Sequence, residues 1–298
     1  MRATLIHNPT SGDGKVRRED LIDLLHKAGI VPFYQSSKIG ELTAALAEPT
    51  DIVIVAGGDG TVAKVVTQMP DRSVPVAILP IGTANNIASS FGIGGPLNEI
   101  SVRLRDAQQR RLDIGMARGP WGCCWVVEGI GLGALVRAAE RIGDPSGSRA
   151  GRLKTARRGI RRILKNAGPD RVKILLDDRQ LPEEHLMVEV LNIACGGPRL
   201  LMASGIDPGD GKLDVIMLEP QQRKQMRRWL AEARPDGPPP MSHWRGSKVS
   251  MIWDGTPLHI DDDLPPAEEG RVAVELELVS DAATILVPAV DGTPGEMA

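Results

Sequence analysis

The apolar positions of this chain change rhythm about a third of the way along. Early on, unbroken apolar runs at 3–6, 30–34, 52–56 and 76–79 alternate with stretches where apolar residues recur at helical spacing: Leu21, Ile22, Leu24, Leu25 and Ala28, then Leu42, Ala45 and Leu46. Strands that are apolar on both faces, separated by amphipathic helices, predict a parallel sheet covered on both sides. Ligands of such sheets collect at the carboxyl ends of the strands. From about Leu112 the period becomes two: Val272, Val274, Leu276 and Leu278 alternate with Ala273, Glu275 and Glu277. Further strands are expected at 121–127, 172–176, 188–194, 213–218 and 284–287, with helical inserts near 151–166 and 220–233 and a Pro/Gly-rich loop at 235–240. This pattern predicts an antiparallel, sandwich-like second half. No internal repeat is found.

Composition narrows the class. The 298 residues allow two cores, and 42% hydrophobic with 25% charged residues is ordinary for a globular protein. Aromatic residues make up only 3%, so the cores must be built from Ala, Val, Ile and Leu. No apolar run approaches the ~18 residues of a membrane span. The N-terminus runs directly into a strand without the layout of a signal peptide. Cys123, Cys124 and Cys195 form no CxxC spacing and no disulfide framework, so reduced core residues and a cytoplasmic location are expected.

The chemistry concentrates at strand ends. The run Ile52-Val53-Ile54-Val55-Ala56 leads into Gly57-Gly58-Asp59-Gly60-Thr61, and a helix is expected over 62–69. Gly57, Gly58 and Gly60 let a ligand approach bare peptide, and the helix start aims N–H groups and a positive dipole end at one spot. That geometry suits a phosphate. An acidic side chain in a phosphate cradle calls for a cation between them, so Asp59 implies Mg²⁺. The first strand ends in Asn8-Pro9-Thr10-Ser11-Gly12 and the fourth in Pro80-Ile81-Gly82-Thr83-Ala84-Asn85. Asn8, Ser11, Thr83 and Asn85 are expected near the phosphates, sugar or base of a nucleotide. The first fold unit thus reads as a Rossmann-like α/β nucleotide-binding domain over 1–112, with 284–298 a candidate to complete it. Residues 113–283 form the β-rich second domain. No P-loop motif occurs.

Taken in order, Asn8-Pro9-Thr10-Ser11-Gly12, Gly57-Gly58-Asp59-Gly60-Thr61 and Pro80-Ile81-Gly82-Thr83-Ala84-Asn85 resemble the diacylglycerol kinase and sphingosine kinase family of lipid kinases. The likeness continues through Leu112-Asp113-Ile114-Gly115, Gly129-Ile130-Gly131-Leu132-Gly133-Ala134 and Asp207-Pro208-Gly209-Asp210-Gly211-Lys212-Leu213-Asp214. It implies a two-domain enzyme that uses ATP and Mg²⁺ to phosphorylate a hydroxyl of diacylglycerol or a similar lipid. It implies a structural Mg²⁺ at Asp210, Leu213 and Asp214, with Asp59 in the active-site metal network. It implies a general base at Asp261; the rival alignment uses Asp254, and the distance to the closing strands favours Asp261.

The chain departs from the family pattern in places. Ala63 and Lys64 stand where Asn-Glu is common, Asn86 where Asp is usual, Glu128 where Asn is common, and Asp262-Asp263 where Gly-Glu is expected. Two other readings therefore stay open: a non-catalytic nucleotide- or lipid-binding member of the same fold, and a kinase of a soluble acceptor resembling the NAD kinases.

Residues 149–165 hold eight basic residues, from Arg149 to Lys165, flanking an apolar stripe of Leu153, Ala156, Ile160, Ile163 and Leu164. A cationic amphipathic helix suits an anionic membrane surface, so peripheral membrane association is expected. A packed helix with a solvated charged face is the plain alternative. No nucleic-acid module accompanies the charges, and no nucleic-acid partner is expected. A homodimer is neither required nor excluded by the sequence.

Overall fold

The computed structural model describes residues 1–38, 42–143, 147–232, 237–266 and 270–289. The first half has the expected strand–helix alternation. Strands β1 (Arg2–His7), β2 (Val31–Ser36), β3 (Ile52–Gly57) and β4 (Val76–Pro80) lie parallel in the order β4-β3-β1-β2. Every residue of β3 is buried, as its unbroken apolar run demands. Helices α1 (Arg18–Lys27), α2 (Leu42–Ala47), α3 (Asp59–Gln68), α4 (Asn86–Ser90) and α5 (Leu97–Arg103) connect and cover these strands. Leu21, Leu25, Val62, Val65, Val66 and Ile100 pack with the strands in one core.

Helix α3 starts three residues earlier than its hydrophobic period indicates. The N–H groups of Thr61 and Val62 both donate to Gly58 O, at 3.0 and 3.1 Å, so the glycine-rich turn is itself the first turn of the helix.

A two-stranded ribbon joins the halves. β5 (Gln108–Gly119) pairs antiparallel with the last strand, Val272–Val287, along most of their lengths. The end of that last strand also runs parallel to β4, placing Ile285 opposite Val76 and Leu286 opposite Ala77. Residues 284–287 therefore extend the first sheet; 290–298 lie outside the described residues.

The second half is a sandwich. One layer contains β5, β6 (Gly122–Val126), β8 (Lys173–Leu176), β12 (Lys248–Trp253) and β14 (Val272–Val287). The other is five-stranded: β11 (Ser242–Gly246), β10 (Leu213–Leu218), β9 (Met187–Leu191), β7 (Gly129–Gly133) and β13 (Leu258–Ile260), in that order. Val188, Val190, Val215, Ile130 and Ile260 face Ile174, Val249, Met251, Trp253 and Leu276 in the core between them. Residues of opposite parity behave differently. Met187, Leu191, Ile216 and Leu218 point to the outer face and pack under α6 (Ala134–Ile142), α7 (Arg149–Asn166) and α8 (Arg223–Trp229). A third, helical layer thus covers the smaller sheet.

Two local expectations shift. The strand expected over 188–194 ends at Leu191, because Asn192 turns inward and donates to Asp113 O (2.7 Å) and Val127 O (2.9 Å). The insert expected near 220–233 is a 3₁₀ turn, Pro220–Gln222, followed by α8. Residues 233–236, which include the start of the predicted Pro/Gly-rich loop, lie outside the described residues.

Candidate functional site

Three strand ends converge beside α3. The turn after β4 meets the turn after β3 so closely that a Cβ on Gly82 would lie 2.4 Å from Gly58 Cα. Any larger side chain there would force the two turns apart. Between these turns and the one after β1 lies a cavity of about 470 Å³, lined by Asn8, Ser11, Gly58, Asp59, Gly60, Thr61, Lys64, Gly82 and Thr83, among others. Asn8 is fixed by donating from Nδ2 to Thr61 Oγ1 (3.1 Å) while its Oδ1 accepts from Thr10.

Two residues expected to grip the ligand do other work. Gly57 ends β3, where a Cβ would collide with Thr61 Cβ at 2.5 Å, so it makes room for the helix start. Asn85 is buried in the left-handed conformation (φ 54°). Its amide closes its own loop, accepting from Gly82 N (2.9 Å) and donating to Pro80 O and Gly82 O (3.1 Å each). It shapes the turn and has no group free for phosphate or base.

Asp59 is buried and accepts from the Ile87 N–H at 2.9 Å. Burial raises its pKa above the usual carboxylate range, against the pull of the helix-start N–H groups of Asn86 and Ile87. The nearby charge of Asp262 raises it further. Asp262 is likewise raised by burial, with His259 opposing. Two crowded, desolvated carboxylates beside a phosphate cradle suit Mg²⁺, which is commonly held by one or two carboxylates together with substrate phosphates. The donor chemistry therefore fits that ion.

Asp261 has a different task from the one expected. It sits in the left-handed region (φ 49°) and turns back onto the chain. Its Oδ1 accepts from Glu128 N (2.8 Å) and Gly129 N (3.0 Å), and its Oδ2 from Val127 N (2.9 Å). Burial lifts its pKa to about 6 even though these three donors lower it. Both oxygens are engaged, so Asp261 anchors the 127–129 turn. The neighbouring Asp262 is the carboxylate that lines the polar cavity.

Asp262 also lines a second cavity, of about 720 Å³, and the two cavities share Thr83 and Ala84 as well. This second space lies between the outer face of the five-stranded sheet and helices α6 and α7. Its walls are Leu135, Ala138, Ile142, Leu153, Ala156 and Ile160, and its polar end is formed by Asn86, Glu128, Glu189, His259 and Asp261. Burial raises Glu128 well above the carboxylate range, reinforced by Asp59 and Asp262. His259 donates towards Glu189 Oε2 (2.8 Å) and Asp261 O (2.8 Å). Burial opposes its charge, but Glu189 and Asp261 together more than compensate and hold it at about 9. Gly131 leaves space for this pair: a Cβ there would lie 2.2 Å from Glu189 Oε2.

Sequence reasoning missed the Glu189–His259 pair, although a lone Glu in the apolar strand Met187-Val188-Glu189-Val190-Leu191 was a visible signal. It also missed that α7 reaches the polar cavity. Arg149 donates to Thr83 O (2.7 Å), and Arg152 donates to Gly12 O (3.0 Å) and Thr83 Oγ1 (2.9 Å).

The expected structural Mg²⁺ site at Asp210, Leu213 and Asp214 is arranged for different cations. Arg245 bonds Asp210 and reaches Asp214 Oδ1 (3.2 Å), and His243 Nε2 lies 2.6 Å from the same oxygen. Leu213 stands in register with Gly246 in the β-ladder. A guanidinium and an imidazole thus engage Asp210 and one oxygen of Asp214, while Asp214 Oδ2 is buried with no hydrogen-bond partner among the described residues. Among the described residues, no group of three or more His, Cys, Asp or Glu side chains is arranged to hold a metal.

Comparison with known proteins agrees with the architecture. The family model of the diacylglycerol kinase catalytic domain matches residues 2–117. A Staphylococcus aureus (strain MSSA476) protein named "Putative lipid kinase SAS0691" is 23% identical over 272 residues, covering 88% of this chain and 84% of its own. The fold is similar to that of a Bacillus anthracis str. Sterne protein described in one crystal structure as a "putative diacylglycerol kinase" (TM-score 0.72) and in another as a diacylglycerol kinase (TM-score 0.69). Each is 18% identical, with 96% of both chains covered.

Proposed function

We propose that this chain, in which residues 2–117 match the family model of the diacylglycerol kinase catalytic domain, transfers the γ-phosphoryl group of ATP to a hydroxyl of diacylglycerol or a similar lipid. The observation that carries this reading is the shared wall of the two cavities: a polar, glycine-lined cleft and a largely apolar pocket meet at Thr83, Ala84 and Asp262.

The triphosphate lies against the glycine-lined turn that begins α3, where the positive end of the helix dipole favours it. Asn8, Ser11, Thr61 and Thr83 supply polar contacts from three turns. Mg²⁺ would be held by Asp59 with the phosphates, and would neutralise their charge. The lipid chain occupies the apolar pocket with its hydroxyl at the junction. Asp262 receives the proton from that hydroxyl, and its desolvated carboxylate, with a raised pKa, is suited to the task. Phosphoryl transfer depends mainly on positioning and charge stabilisation, and α7 contributes to both through Arg149 and Arg152.

No helix of the described residues is long and apolar enough to cross a membrane. The lipid is instead met at a surface. Lys154, Arg158, Arg161 and Lys165 form one exposed stripe of α7, opposite the face that walls the pocket. At about 1 kcal/mol per basic group near an anionic bilayer, this stripe supports reversible docking.

The test is to incubate the protein with labelled ATP, Mg²⁺ and a total lipid extract. Label in an organic-soluble phosphate ester is expected; label that remains wholly in water-soluble species contradicts the reading. Sedimentation with phosphatidylglycerol-containing vesicles, lost at high salt, is the expected result for docking.

A further inference from the structure

The apolar pocket is finite, and its polar end retains hydrogen-bonding capacity that the protein does not use. Glu189 is 1% exposed and lines the pocket, yet among the described residues its Oε1 accepts no hydrogen bond. Asn86 is 5% exposed and lines the same end; its Nδ2 donates to Glu128 and Gly197 O, while its Oδ1 has no partner among the described residues. Buried polar groups left unsatisfied in this way are costly, and a ligand that supplies donors removes the cost. Gly131 reinforces the inference, because the sheet omits a side chain at the one place where the Glu189–His259 pair must sit.

Size gives the second constraint. A volume of about 720 Å³ accommodates about two dozen methylene-sized groups at roughly the 30 Å³ that a water takes in the liquid. A glycerol or amino alcohol bearing one long chain matches that number. A second such chain would have to lie outside these walls.

Resting on the lipid-kinase reading above, we propose that the preferred acceptor is a single-chain lipid whose polar end carries, besides the reacting hydroxyl, a second hydrogen-bond donor read by Glu189 and Asn86. A hydroxyl and an ammonium group both meet the description. The shared chemistry is a donor pair at the head of one chain. The reacting hydroxyl is placed at Asp262, and the second donor lies deeper, towards β9.

The experiment compares four acceptors of matched chain length in the same mixed micelles, with ATP and Mg²⁺: a monoacylglycerol, a long-chain amino alcohol, a plain long-chain alcohol and a diacylglycerol. The wild-type protein is expected to show kcat/KM at least about tenfold higher for one or both donor-bearing single-chain lipids than for the other two, because a site built to hydrogen-bond a group rejects its absence. Which of the two leads identifies the donor. In Glu189→Gln the advantage over the plain alcohol should shrink to within about threefold. Diacylglycerol turned over best, or the plain alcohol turned over as well as the others, overturns this inference and leaves the lipid-kinase reading intact. Phosphorylation of none of the four overturns both. The wild-type comparison decides even if the variant fails to fold.

Discussion

Arg152 donates to Thr83 Oγ1 at 2.9 Å, which ties the helix walling the apolar pocket to the turn bordering the polar cleft. The same guanidinium reaches Gly12 O at 3.0 Å, so one side chain on α7 fixes two of the three turns. Hydrogen bonds to charged groups contribute about 1.5–3 kcal/mol. Arg152→Ala should therefore raise the KM for ATP by about tenfold, and Arg152→Lys should recover only part, because an ammonium cannot reproduce the planar fork. Steady-state kinetics with varied ATP check this. An unchanged KM in the alanine variant would separate α7 from the cleft.

Asp261 and Asp262 are adjacent in sequence and opposite in role. Asp262→Asn should lower turnover by roughly 10²–10⁴-fold with little change in melting temperature. Asp261→Ala strips three backbone donors of their acceptor, at about 1–3 kcal/mol for each one left buried and unpaired. Its main effect should be on stability. Urea unfolding alongside kinetics distinguishes the two. The reverse pattern would return the proton-accepting role to Asp261.

The Glu189–His259 pair makes stability depend on pH in a defined window. The folded-state pKa of His259, about 9, lies above its unfolded value near 6.5. The folded protein therefore holds more protons between those values, and the stabilisation is complete below about 6.5 and lost as pH rises through about 9. Asp261, raised to about 6, acts in the same direction at lower pH: between about 4 and 6 the folded state again binds more protons, so its contribution also falls as pH rises. Melting temperature measured from pH 6.5 to 9.5 should decline, and Glu189→Gln should flatten that decline. A wild-type curve flat across this range would refute the pair's charged state.

At the β10–β11 corner, Arg245 pairs with Asp210 and Asp214, and His243 Nε2 meets Asp214 Oδ1. A chelator should therefore leave the melting temperature of the nucleotide-free protein unchanged. Arg245→Ala, by contrast, should destabilise it by about 1–3 kcal/mol, because buried Asp214 loses part of its compensation while keeping His243. A fall in melting temperature on chelation, restored by added Mg²⁺, would mean that a metal holds this corner.

The parallel sheet of the first half and the antiparallel layers of the second were legible in sequence because unbroken apolar runs and period-two runs each have one economical packing. The glycine turns at the strand ends were legible because glycine there has few other uses. The roles of Asn85, Asp261 and Asp210 were not legible. Each is a polar residue in a motif whose side chain the local backbone, or a residue distant in sequence, claims first. Asn85 is claimed by its own turn, Asp261 by the 127–129 amides, and Asp210 by Arg245, thirty-five positions away. The basic pattern of α7 indicated a surface helix; that two of its arginines face inward depends on where α6 sets it down.

The central claim is that the apolar pocket receives the group to be phosphorylated, beside an independently formed nucleotide cleft. Ala156 lines only the apolar pocket, so the most direct measurement is made on Ala156→Phe. Lipid phosphorylation and ATP binding by calorimetry are recorded on the same sample. We predict that lipid turnover falls by at least about fiftyfold while the Kd for ATP stays within about twofold of wild type. Lipid turnover that persists at the wild-type rate with the pocket blocked would contradict the account.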